Sequence, residues 1–365
     1  MAGRGARRAT FLLCALSALI PTLAAAQQAR PSILAIDNAA SFDVAVDNNG
    51  NRATRVFMDA VISVGLGSGF EAIVWPISQK LSNGDWQRDV WIASLRYQHP
   101  GPIAIRIDGG VIPSPIGLTS FIRRPHLNPT ISQPSSVFSG LPPLQVRGPR
   151  TTLLGPVYPV GGQVTVSGAH WDARAAVMDS APLRARGVFP VEARGVSSPD
   201  PPRFTNLVVG GGVTPRVGLR IGASVTHGGW MRAGESPTVR ADGDATVMTV
   251  ESEFSFRFTK LSGEYVRDSV ETNAGTRVPS GWWIQGQQTL APRWFAAGRI
   301  ERISARAALP LTTAQQRLSS VEEVLGFRVT PDLTFRVGHR ARRGFGRPGF
   351  DNQIATSVVW WKRWL

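Results

Sequence analysis

Arg123, Arg124, Arg147 and Arg150, with His126 and His170 beside them, lie in a stretch that contains no carboxylate between Asp108 and Asp172. At the chain average of 25 acidic residues in 365, a stretch of that length would hold about four. Guanidinium groups bind carboxylate or phosphate through paired hydrogen bonds, so the chemistry on offer is anion recognition. It matters only where a narrow passage focuses the field, because on an open surface salt screens it within about 10 Å.

Catalytic, metal and cofactor chemistry find little support. A hydrolase of this kind needs His with Ser or Asp, and the one loose grouping is His227 with Ser224 and Asp242, without a nucleophile motif. No two histidines are spaced i, i+4 for zinc. Gly210-Gly211-Gly212 lacks the Lys-Ser/Thr and helix of a phosphate loop, and reads as room for a neighbouring side chain or for curvature. We therefore assign no catalytic residue, no metal and no cofactor.

The elements that position the arginines begin with an export signal. Arg4, Arg7 and Arg8 precede an apolar run from Phe11 to Leu23, and Ala24-Ala25-Ala26 supplies a small-residue cleavage site, so residues 1–26 read as a signal peptide. Cys14, the single cysteine, lies within it, which leaves the mature chain without thiol chemistry. Loss of three arginines takes the net charge from +15 to +12. Such a chain suits small anionic or polar solutes, lipid headgroups and lipopolysaccharide better than nucleic acid.

Beyond residue 26 the apolar pattern alternates with period two. Met248, Val250, Phe254 and Phe256 oppose Glu251, Glu253, Ser255 and Arg257; Val217, Leu219, Ile221, Ala223 and Val225 oppose Arg216, Arg220, Ser224 and Thr226; Ile103, Ile105, Ile107 and Val111 oppose Arg106 and Asp108. Segments of about ten residues of this kind can cross a bilayer when tilted. Thr214-Pro215-Arg216, Ala291-Pro292-Arg293 and Thr330-Pro331-Asp332 mark tight turns, with further short turns near Gly65 to Gly69, His99 to Gly101, Gly168 to Asp172 and Phe258 to Lys260. Longer connections alternate with them, the longest being Ile112 to Val160.

Short turns on one edge and long loops on the other predict an all-β fold: a transmembrane antiparallel up-and-down barrel over residues 27–365, with the loops outside. The count is about sixteen strands, with fourteen to eighteen allowed because Ser41 to Val46 is a weak first strand. Trp86, Trp91, Tyr97, Trp171, Trp230, Trp282, Trp283, Trp294, Trp360, Trp361 and Trp364 fall mostly at strand ends, as in aromatic girdles. A secreted two-domain β-sandwich is the alternative; it would leave sheet edges that a closed barrel abolishes.

The segment from Ile105 to Leu118, with Asp108-Gly109-Gly110 running into Pro115-Ile116-Gly117-Leu118, resembles the strand-to-third-loop junction of the phosphate-selective porin family. The close at Ser357 to Leu365 is similar to the last strand of such a barrel. The resemblance implies a 16-stranded passive porin, often a homotrimer, whose third external loop folds into the lumen and whose basic residues favour anions. Thr119 stands where that family has Glu, and the lysines are only Lys80, Lys260 and Lys362, so phosphate as the solute does not follow.

Ile112 to Val160 is the third long connection as well as the acid-free stretch, and its ten prolines limit the freedom it loses on ordering. The expectation is that it enters the lumen as a constriction bearing Arg123, Arg124, Arg147 and Arg150 as anion-binding groups. Lumen-wall candidates are Arg96, Arg106, Asp108, Arg220, Arg257, Arg336 and Arg340, with Glu251, Glu253, Glu264 and Glu322 opposing them. The functional reading is passive, anion-preferring diffusion across the cell outer membrane. The alternatives are a structural or adhesin barrel without transport, or a surface hydrolase.

Overall fold

The computed structural model describes residues 34–82, 84–118, 122–155, 158–184, 203–306, 316–347 and 349–364. The signal peptide and Thr119 lie outside them. The strands are β1 (Leu34–Asp47), β2 (Arg52–Gly67), β3 (Phe70–Leu81), β4 (Gln87–His99), β5 (Ala104–Val111), β6 (Val160–Ser167), β7 (Trp171–Met178), β8 (Asn206–Arg216) and β9 (Leu219–Met231). They continue as β10 (Gly243–Phe256), β11 (Thr259–Thr272), β12 (Gly275–Arg277), β13 (Ser280–Ala291), β14 (Trp294–Ser304), β15 (Arg317–Arg328), β16 (Leu333–Arg343) and β17 (Asp351–Trp364). β12 is a three-residue extension that pairs with β11 beyond β13, so sixteen strands build the wall.

Every neighbour pair is antiparallel, and β1 pairs with both β2 and β17, from Ile36 opposite Trp364 to Asp47 opposite Gln353. The sheet is thereby closed, and closure is what lets a β-structure cross lipid with its strand-edge N–H and C=O groups satisfied. The first strand is longer than Ser41 to Val46 because alternation continues back to Leu34, with Asp37, Ala39 and Ser41 turned inward and Ile36, Ala40 and Phe42 outward.

Side chains alternate as the sequence predicts. On β15, Val321 and Leu325 are each 42 % exposed, whereas Glu322 and Val324 between them are 4 %. Outward Met248, Val250, Ile284, Ile300, Phe335 and Ile354 continue this apolar band round the barrel. Tyr97, Trp171, Trp294, Trp360 and Trp364 ring the edge where the short turns and both described chain ends lie. Trp91, Trp230 and Trp283 depart from the girdle: they are buried inward, where the third loop covers them.

Two corrections concern turns. The Pro215 segment ends β8 with a register shift after Val213, and the reversal falls at Val217-Gly218. Gly218 has φ of 85°, and a Cβ there would stand 2.2 Å from the Ser255 carbonyl oxygen, so glycine fixes the turn. The β10 to β11 turn, by contrast, falls one residue early, at Arg257-Phe258, which removes Arg257 from the lumen wall: it is exposed at φ of 51°, over the ring of Phe256.

Replacing Ile284 by Arg, at the middle of an outward face, should cost about 2–4 kcal/mol in lipid. Urea titration of barrel folded into vesicles measures it; no loss would mean that this face does not contact lipid.

Candidate functional site

A loop inside a barrel must find partners for its backbone, and the inner wall supplies them as charges. Leu118 N–H donates to Glu264 Oε1 on β11 at 2.8 Å, and Gly117 N–H to Ser224 Oγ on β9 at 3.4 Å. Across the lumen, Arg336 of β16 donates to the carbonyls of Asn128 at 2.7 Å and Thr130 at 2.9 Å, and to Ser357 Oγ at 2.9 Å. Glu322 of β15 accepts the N–H groups of Ile131 and Ser132, both at 2.9 Å. Arg299 of β14 joins them, bonding Glu322 at 2.9 Å, Thr130 Oγ1 at 2.8 Å and the Gln133 carbonyl at 3.1 Å. Glu301 accepts the Ser135 N–H at 2.6 Å and so holds α1 (Ser135–Phe138), a one-turn helix in the loop.

Apolar packing completes the attachment. Ile116, Leu144, Leu153 and Leu154 are almost fully buried against Val208, Trp230, Val247, Val266, Val270, Ile303 and Leu318. Each such side chain contributes about 1.5–3 kcal/mol. Near β3 and β4, Tyr158 stacks on Trp91 with centroids 5.0 Å apart.

The loop arginines divide in two. Arg124 is paired to Asp59 of β2 through Nε at 3.1 Å and Nη2 at 2.8 Å, and also reaches Asp37 Oδ1 at 3.0 Å. Arg123 packs against the stacked pair of Trp91 and Tyr158, its guanidinium carbon 4.0 Å from the Trp91 ring centroid and 4.5 Å from that of Tyr158. With 4 % and 7 % exposure, Arg123 and Arg124 are corrected from pore-lining groups to anchors of the loop. Arg147, at φ of 50°, and Arg150 are exposed on the limb returning to the mouth, where Gln145 bonds the Thr238 carbonyl.

A second group of arginines lines the opposite wall. On β4 and β5, Arg96 Nε lies 2.6 Å from Asp108 Oδ1 and Arg106 Nε 2.9 Å from Asp108 Oδ2. On β9, Arg220 holds Asp172 at 3.0 Å and Glu251 at 2.7 Å; Arg174 of β7 lies 3.4 Å from the same Glu251 oxygen. Inward glycines leave room for these long side chains to lie along the wall. A Cβ at Gly212 would stand 2.8 Å from Arg220 Nη2, and one at Gly210 would stand 3.1 Å from Arg174 Nε. The glycine run thus serves close packing.

Of the other wall candidates, Arg336 and Arg340 face inward but are covered by the loop, Arg340 contacting Ser135 Oγ at 3.3 Å and Glu301 at 3.7 Å. Glu264 and Glu322 hold loop backbone rather than opposing free arginines, and Glu253 lies 3.9 Å from Lys260. Asp59, Arg174, Arg299 and Glu301 were not singled out from sequence; their signal is a charge at an inward position of an alternating strand. His227 and Ser224 face opposite sides of β9, bonding Thr246 and Thr249, and Asp242 accepts the Ala233 N–H, so the three do not converge.

No family model matches the chain, and no curated protein matches it. Among solved structures, OprB of Pseudomonas putida superimposes with a TM-score of 0.58 at 10% identity, covering 91% of this chain and 94% of that one. The anion-selective porin from Comamonas acidovorans gives 0.55 at 9% identity, covering 90% and 99%. The trimer form of OmpT, an outer membrane protein of Vibrio cholerae, gives 0.51 at 9% identity, covering 90% and 99%. This chain has the fold of outer-membrane porins.

Two outcomes follow from the anchors. Arg124→Ala leaves Asp59 buried without its partner and should destabilise the docked loop by about 3–5 kcal/mol, read as faster hydrogen exchange over residues 122–132; unchanged exchange would remove the anchor role. His126 stacks on Trp361, and burial followed by the Arg124 charge pushes it down from 6.5 to about 4. The docked loop therefore refuses a proton that a released loop takes up. Docking should weaken as pH falls from about 6.5 toward 4, by up to about tenfold per unit, and His126→Gln should flatten that dependence in exchange corrected for its intrinsic pH effect.

Proposed function

We propose that the chain is a passive porin of the cell outer membrane that passes small anionic and polar solutes and prefers anions. The observation that carries the preference is an asymmetry of exposure on the wall opposite the docked loop. The Arg106, Arg220, Arg96 and Arg174 side chains are 37 %, 21 %, 20 % and 12 % exposed, whereas Asp108 and Glu251 are 0 % and 1 %. The remaining carboxylates of the cluster, Asp172 and Glu71, are 23 % and 27 % exposed. The two central acids are sunk into the wall beneath guanidinium groups, and Arg106 is the most open charge of the cluster, so an ion passing there meets a donor first.

Arg147 and Arg150 extend the basic surface to the mouth. The anion-selective porin from Comamonas acidovorans supports the sign of the preference, and the trimer form of Vibrio cholerae OmpT supports a homotrimer. A dedicated phosphate site is not part of the proposal, because the wall arginines are engaged with carboxylates and lysines are few. Export by the signal at residues 1–26 belongs to the same reading.

Reversal potentials in a KCl gradient across planar bilayers test it. Chloride should be favoured, and Arg106→Ser should lower the chloride-to-potassium permeability ratio about fivefold, the effect of one charge about 8 Å from the ion path acting with opposite sign on the two ions at a water-like dielectric of about 80. Cation preference would reject anion selection; a folded barrel without conductance would reject the porin reading itself.

A further inference from the structure

We propose that the outer wall of β11 and β13–β16, at the end bearing the long loops, binds the phosphate-bearing headgroup of a lipid in the outer leaflet. The inference rests on the barrel standing in a membrane with its long loops outward, and does not depend on transport.

Strand register places the residues. Tyr265 of β11 stands opposite Trp282 of β13, Trp282 opposite Arg302 of β14, Arg302 opposite Ser319 of β15, and Ser319 opposite Arg343 of β16. One step nearer the loops, Arg267, Ser280, Ser304 and Arg317 form a second row on β11, β13, β14 and β15. Both rows face outward. Their strand neighbours Val266, Asp268, Gly281, Trp283, Glu301, Ile303 and Leu318 are buried inward, and Arg342 beside Arg343 bonds Ser139 of the internal loop.

Four arginines therefore share one outer surface with three serine hydroxyls. Among the described residues, Arg267, Arg302, Arg317 and Arg343 have no carboxylate within ion-pair distance; Arg343 has only the Phe350 ring, at 5.6 Å. The outward carboxylates of these strands, Glu271 and Glu323, lie four residues beyond Arg267 and Ser319 in opposite directions, each about 13 Å away along its strand.

The surroundings specify the ligand. Trp282 and Tyr265 are placed where interfacial aromatics sit, and the wall on the membrane side of the arginines is apolar: Ile300, Val321 and Val337 are exposed there. Arg302 and Arg343 are two strands apart, about 10 Å, with the Ser319 hydroxyl between them. A lipid with acyl chains on that apolar wall and phosphate oxygens among the guanidinium groups satisfies both halves of the surface, and guanidinium recognises phosphate through paired hydrogen bonds. A free anion would meet the charge and leave the apolar half unused.

The test uses the folded full chain, stripped of lipid in neutral detergent, and native mass spectrometry to count bound lipid. The probes are a bis-phosphorylated acylated glucosamine disaccharide, the same lipid without phosphates, and inorganic phosphate. The phosphorylated lipid should be retained and the dephosphorylated one lost. Arg302→Ser with Arg343→Ser should weaken retention about tenfold, while Arg147→Ser with Arg150→Ser should leave it unchanged. If the double variant does not fold, Arg302→Gln and Arg343→Gln singly should each weaken it about threefold. Equal retention by the folded variants, or by the dephosphorylated lipid, would overturn the site; displacement by inorganic phosphate at equal affinity would make it a free-anion site. Chloride selectivity should be the same in the double variant, which keeps failure here distinct from failure of the porin reading.

Discussion

The structure depends on one constraint: a long segment of irregular backbone is held inside a closed barrel, and its N–H and C=O groups need partners there. An unsatisfied buried backbone group costs about 1–3 kcal/mol, so the segment stays inside only where the wall supplies donors and acceptors of the right sign. Arg299 and Arg336 supply donors to loop carbonyls, while Glu264, Glu301 and Glu322 accept loop N–H groups. Charged side chains suit the task because they reach from the strand, carry several bonding positions each and, in Arg299 and Glu322, neutralise one another. Interior charges in this protein are in large part the fastening of its loop.

That division of labour explains what was legible in the sequence. The wall was legible, since period-two alternation and proline-marked turns give the strands, their number and the longest loop to within a residue or two at most boundaries. The first strand was obscured because Asp37, Ala39, Ser41 and Asp43 are small or polar inside a protein whose outside is apolar. The site was less legible. Alternation says which way Arg336 points, but whether it meets water or the carbonyl of Asn128 depends on where a loop more than two hundred residues earlier comes to rest. Composition marked the loop as basic; the partners of Arg124, on β1 and β2, lie far away in sequence and could not be read from it.

The tryptophans show the same effect. Trp171 and Trp294 sit at the outer girdle, whereas Trp91, though similarly near a strand end, is turned inward beneath Tyr158 and Arg123. Its inward position follows from a bulge on β4: Trp75 pairs with Ile92 and Pro76 with Val90, so Trp91 is the extra residue and turns inward beside Ile92. One local irregularity thus gives the loop an aromatic seat on a wall otherwise patterned for a wet lumen.

The loop also determines which charges remain for solutes. It covers Asp59, Glu301, Glu322, Arg336 and Arg340 on one side and packs on the long-loop ends of β8–β10 on the other, and leaves partly open the arginines near the short-turn ends of β4, β5, β7 and β9. Neutral pairs there need not present a neutral surface, because field at short range is set by which partner is nearer. With Asp108 buried beneath Arg106, whose side chain is the most open of the cluster, the wall is locally positive to an ion within a few ångströms of Arg106 and nearly neutral at a distance. On the porin reading proposed above, such a surface would lower the barrier for anions at the wall without a deep well to detain them, as passive diffusion requires. An isolated arginine at the same place would bind an anion more tightly and release it more slowly, so on that reading the buried carboxylates would serve throughput as well as the stability of the wall.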